Sequence, residues 1–82
     1  MTDIPAYIKR MEVEFVELDE RVEKLQEFLH GESNMAALAE LSHLQTELLF
    51  IQLSAMSTYH RVLGIRIAHE LELHAGKENE GE

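Results

Sequence analysis

The residues able to do chemistry in this chain are few, and they recur at regular intervals. Gln45, Gln52, Tyr59 and Arg66 stand seven apart, so on a helix they line one stripe. Such a stripe offers amides for a base edge, a ring to stack on a base and a guanidinium for a phosphate. Tyr7, Lys9 and Arg10 supply a second aromatic and two more cations near the start of the chain. The same residue types also populate the boundary of any buried helix face, where long polar side chains lie along apolar surface.

Other constellations are poorer. Glu40, His43 and Glu47 have the Glu-x-x-His spacing of di-iron bundles, but such a site needs inward carboxylates on partner helices. The apolar seam of the first helix contains none, so no metal is expected. Glu70 and His74 form an i,i+4 pair near a helix end. His60 falls in an apolar seam, where a hydrogen-bonded core histidine is expected. Cysteine is absent, the serines lack a Gly-x-Ser-x-Gly elbow, and Gly64 stands alone inside a helical pattern. Neither an enzyme nor a cofactor is expected.

Two helical segments must position these residues. In the first, from about Ile4 to His30, apolar residues fall at Ile4, Ile8, Met11, Phe15, Leu18, Val22, Leu25 and Leu29, a heptad seam. Asp3 suits the N-cap, Pro5 the first turn and Gly31 the C′ position; Ser33 or Asn34 could then cap a second helix. The second segment, Met35 to His74, carries two seams. One reads Ala37, Leu41, Leu44, Leu48, Ile51, Ala55, Thr58, Val62, Ile65; the other reads Leu49, Leu53, Met56, His60, Leu63, Ile67, Leu71. One neighbouring helix covers one seam, so two seams imply a further neighbour. The expected fold is all-α: an antiparallel helical hairpin with a long second helix, assembling into a homo-oligomeric bundle. Residues 1–75 would form the single domain and 76–82 an acidic disordered tail. Ser54, Ser57 and Thr58 could mark a bend.

A hairpin turning at residues 31 to 34 pairs residues whose numbers sum to roughly 65. Tyr7 would then lie beside Thr58 and Arg10 beside Ala55. Both tyrosines would gather with Lys9, Arg10, Arg61 and Arg66, four of the 7 basic residues, while the acids lie on the outer face of the first helix and in the tail. The candidate ligand-binding residues are therefore Tyr7, Lys9, Arg10, Gln52, Tyr59 and Arg66.

Composition bounds the partners. Seven Lys and Arg against 16 Asp and Glu give a net charge of −9, which argues against DNA or RNA as partner because phosphate contacts need a basic footprint. The start, Met-Thr-Asp-Ile-Pro, has no signal-peptide pattern, and the uncharged stretch from Leu48 to His60 is too short to span a bilayer. A cytoplasmic protein without membrane contact is the expectation.

The run Glu47-Leu-Leu-Phe-Ile-Gln52-Leu-Ser-Ala-Met56-Ser-Thr-Tyr59-His-Arg-Val-Leu63-Gly-Ile-Arg66-Ile67 resembles a pattern in short phage and prophage proteins, some described as crAss-phage-related. So does Tyr7-Ile-Lys-Arg10-Met with Glu17-Leu-Asp-Glu-Arg-Val-Glu-Lys-Leu-Gln-Glu-Phe-Leu29. The resemblance covers residues 7 to 67 and is most specific in the Gln-Met-Tyr-Arg-Ile combination. The expected architecture is similar to that of the anti-CBASS and anti-Thoeris sponges, helical oligomers that hold cyclic nucleotide messengers between subunits. That similarity implies a phage-type counter-defence protein that sequesters a cyclic nucleotide in the host cytoplasm, without catalysis. The alternatives are an acidic helical inhibitor or adaptor of a host protein, and a structural bundle with no ligand.

Overall fold

The computed structural model describes residues 4–80, with side chains to residue 76; Asp3 lies outside the described residues. Helix α1 runs Ala6–His30, a 3-10 turn covers Glu32–Asn34, α2 is the short Met35–Ala39, and α3 runs His43–Glu80. Every regular element among the described residues is helical. The molecule measures 62 × 19 × 17 Å, and α3, at 38 residues or about 57 Å of helix, sets the long dimension.

Pro5 is the N-cap of α1, and its carbonyl accepts from the backbone N–H of Ile8 and Lys9 at 3.1 and 3.2 Å. The other end of α1 departs from expectation. Gly31 is not left-handed but extended, at φ −78° and ψ 132°. Its N–H donates to the Glu27 carbonyl at 2.8 Å, and a Cβ there would sit 2.5 Å from that same oxygen. Close approach, rather than positive φ, is what requires glycine here. Asn34 occupies the N-cap position of α2 without a side-chain capping bond; its Nδ2 donates back to the Glu27 carbonyl at 3.3 Å.

The expected second helix is interrupted. Ser42 Oγ accepts from the Gln45 backbone N–H at 3.1 Å, and Gln45 Oε1 accepts from the Ser42 backbone N–H at 2.8 Å. This reciprocal capping box ends the α2 turn and starts α3 afresh. The Ser-x-x-Gln signal was in the sequence, but an apolar seam running unbroken across Leu41 and Leu44 masked it. Beyond Ser42, α3 is continuous. Thr58 Oγ1 donates to the Ser54 carbonyl at 3.0 Å, so its hydroxyl is satisfied within the helix, which runs on through this segment without interruption. The helix also passes through Gly76 to Glu80, where composition had suggested a solvated tail.

Helices α1 and α3 pack along one another. Residue numbers fall on α3 as they rise on α1: Glu14 meets Tyr59 (sum 73) and His30 meets Phe50 (sum 80). The heptad seam of α1 is the buried one, with Ile8, Leu18 and Leu29 enclosed and Met11, Phe15, Val22 and Leu25 half-buried. On α3 the covered seam is the second, with Leu63 buried and Leu49, Leu53, Met56, His60, Ile67 and Leu71 half-buried. The other seam is left open. No helix of the described residues is long and apolar enough to cross a membrane.

Candidate functional site

The contact between α1 and α3 has two flanks, and the candidate residues concentrate on one. At its centre the Tyr59 hydroxyl donates to the Glu14 carboxylate. That bond raises the Tyr59 phenol above the ordinary value of 10.0. Desolvation and the Glu14 charge push the same way, and the positive charge of Arg66 pulls back. Tyr59 thus stays a neutral donor at physiological pH, with Arg66 near enough to act on it.

Helix geometry extends the flank from that bond. Seven residues advance a helix by about 10.5 Å and return within about 20° of the same face. Tyr7 lies seven before Glu14 and Arg66 seven after Tyr59, so both continue the flank about two turns beyond the hydrogen bond. In the other direction Arg21 and Gln52 share a level by the same step, and Gln52 Nε2 donates to Met56 Sδ at 3.7 Å. Arg10 is one turn from Glu14 on the same flank. Tyr7 and Tyr59 are 44% and 42% exposed, enough to offer a ring face to a ligand.

Two details of the expected cluster are corrected. The connection between the long helices runs from Gly31 to Ser42 instead of four residues, so partners sum to 73 or more. Tyr7 is therefore shifted past Thr58 toward the Arg66 end of α3, and Arg10 moves away from Ala55. Lys9 leaves the group: five residues from Glu14 puts it about 140° round the helix, on the outer side of α1. Glu14 enters instead, although its sequence context assigned it to the outer acidic face. The signal that could have found it is a second heptad stripe, Tyr7, Glu14 and Arg21, beside the apolar seam of α1. Gln45, the first member of the α3 stripe, spends its amide oxygen in the capping box.

The opposite flank is built on Phe15. Its ring stacks on His60, with centroids 4.2 Å apart and planes 17° from parallel, and His60 Nε2 lies 3.1 Å from Asp19 Oδ1. His60 is thus a packed histidine with a carboxylate beside it. Gly64 lets the Phe15 ring come close, since a Cβ there would be 3.0 Å from Phe15 Cε2. A hollow of about 280 Å³ lined by Glu12, Phe15, Val16, Gly64 and Ile67 borders this contact. A wider one of about 530 Å³, lined by Phe15, His60, Arg61, Gly64, Ile65 and Ala68, adjoins the same contact. No group of three or more His, Cys, Asp or Glu residues close enough to hold a metal ion occurs among the described residues.

The chain is thus a small all-α protein whose two long helices carry a tyrosine- and arginine-bearing flank. The Sequestin family model matches residues 5–69, and the chain belongs to that family. The match covers all of α1 and α3 as far as His69, so every residue of the flank falls within it. No curated protein and no solved structure matches the chain.

Proposed function

We propose that this protein binds a nucleotide signal, a cyclic nucleotide second messenger, and holds it without altering it, as a homo-oligomer acting in phage-type counter-defence. The observation that carries the reading is the flank of Tyr7, Arg10, Tyr59, Arg66 and Gln52. On a chain of net charge −9, two cations and both tyrosines lie on one side of one helix pair. Tyrosine rings stack on bases, arginines fork onto phosphate oxygens, and the Gln52 amide reads a base edge. Glu14 holds Tyr59 in place and offers an acceptor to a ligand hydroxyl or amine. The family name itself denotes sequestration, which needs tight binding and no turnover.

Titration calorimetry with cyclic di- and trinucleotides and cyclic ADP-ribose isomers tests the reading. Arg66→Ala removes a charge-assisted contact of about 1.5–3 kcal/mol, which weakens binding by about tenfold to a hundredfold. Tyr59→Ala removes stacking of about 1–3 kcal/mol per base. Both variants keep the oligomer size of the parent. No heat with any ligand sinks the reading, and loss of activity on charge reversal at Glu17, Glu20 and Glu23 would then favour an inhibitor of a host protein.

A further inference from the structure

The open seam of α3 is the largest feature of the molecule that the site leaves unused. Leu44, Leu48, Ile51, Val62 and Ile65 are 61%, 54%, 58%, 45% and 61% exposed, and Ala55 and Thr58 between them are exposed too. The strip is about 32 Å long and one helix face wide, comparable with the largest apolar patches that soluble monomers carry. Its steps of four and three are those of a coiled-coil seam. We infer that a second copy of this chain covers it, with the two α3 helices antiparallel, and that Gln52 of the partner subunit completes the ligand flank beside Tyr59.

Charge selects the occupant. From His43 to His60 α3 carries no Lys or Arg and one acid, Glu47, so two such faces meet without the repulsion that the acidic face of α1 would bring. Packing selects the direction. In antiparallel seams, facing residues have numbers with a constant sum, and a sum of about 113 places Leu48, Ile51, Val62 and Ile65 each on another large side chain. Leu48 then faces Ile65 of the partner subunit, Ile51 faces Val62 of the partner subunit, and small Ala55 faces Thr58 of the partner subunit. The close approach at the middle is filled by small groups and both ends by large ones. On one edge Glu47 comes within reach of Arg61 of the partner subunit. A parallel pairing puts Glu47 near residue 52 of its mate, where there is no cation.

The other edge is the heptad stripe itself. In the antiparallel arrangement Gln52 stands level with Tyr59 of the partner subunit, and Gln45 with Arg66 of the partner subunit. Each flank acquires a third wall, bounded by its own α1 through Tyr7, Arg10 and Glu14 and by the α3 of the second copy. The placement deepens the sequestering reading and rests on it only for the ligand; the interface stands on the seam alone.

The chain has no cysteine, so single introduced thiols report the pairing cleanly. Ile51→Cys and Val62→Cys, one of them tagged, are purified separately and then mixed under mild oxidation. The expected product is a mixed 51–62 disulfide dimer, with little self-linked dimer of either variant. Two Ile51→Cys chains would hold their thiols about 16 Å apart along the axes, beyond disulfide reach. Self-linked dimers without the mixed product overturn the antiparallel assignment. A native mass of one 9.5 kDa chain for the unmodified protein overturns the interface altogether. Ile51→Glu, at an exposed position of the single chain, is expected to give that one-chain mass with unchanged helicity. If the mixed disulfide forms but calorimetry shows no nucleotide heat, the interface stands and the sequestering reading falls. If the parent binds nucleotide as a monomer, the reverse holds.

Discussion

Replacing Gly64 by alanine opposes two effects whose sizes the structure allows to be compared. Glycine in a helix interior is about 1 kcal/mol less favourable than alanine, so the methyl would stabilise α3 if it met open space. It does not: the new Cβ would lie 3.0 Å from Phe15 Cε2 and 3.6 Å from Cζ, where carbons prefer 3.5–4.0 Å. The ring must retreat, and it is held by its stack on His60 at 4.2 Å, with Asp19 behind the imidazole. Inserting a methylene into a fitted contact costs about 1–3 kcal/mol, and a disturbed aromatic pair about 0.5–1.5 kcal/mol. The contact term outweighs propensity, so Gly64→Ala is expected to destabilise by about 1 kcal/mol. In a domain of this size that lowers Tm by about 4–8 °C, read by circular dichroism at fixed protein concentration. In a Phe15→Ala background the obstruction is gone, and the same substitution is expected to stabilise by about 1 kcal/mol. The double-mutant cycle then shows about 2 kcal/mol of coupling. A rise in Tm on Gly64→Ala in the parent chain would refute the close approach on which the helix contact is argued.

Ser42→Ala removes one arm of the capping box and is expected to cost about 1 kcal/mol, with hydrogen exchange accelerating first in the opening turn of α3. Leu63 is 1% exposed, and Leu63→Ala is expected to lose about 2–5 kcal/mol in denaturant unfolding. Tyr59 titrates above the ordinary tyrosine value because the folded chain holds its proton more tightly than the unfolded one. The stability from its bond to Glu14 is therefore complete below about pH 10 and is lost as pH rises through the raised value. The ultraviolet phenolate transition abolished by Tyr59→Phe should move to lower pH in Glu14→Gln; an unmoved transition would remove Glu14 as its cause.

How much of this was legible in the sequence depends on the range of the interaction concerned. Heptad spacing in α1 named the residues from Ile8 to Leu29 that turn inward, because a helix face is set by the sequence itself at 3.6 residues per turn. The same local logic found both seams of α3 and the stripe of Gln52, Tyr59 and Arg66 between them. It also contained the Ser42-x-x-Gln45 cap, which a continuous apolar pattern concealed. The choice of which α3 seam packs on α1, and the level at which the helices meet, are not local quantities. They follow from the path between Gly31 and Ser42, where a 3-10 turn and the short α2 consume residues that a tight turn would have left in the long helix. That path shifts the pairing sum from roughly 65 to 73 or more, about 12 Å at 1.5 Å per residue. The shift brings Glu14 up to Tyr59 and moves Tyr7 from Thr58 toward Arg66. Lys9 is excluded separately, by its place on the outer side of α1. Residue types and faces were thus set by the sequence, and their company by the tertiary structure, because only packing two helices together measures one chain position against another.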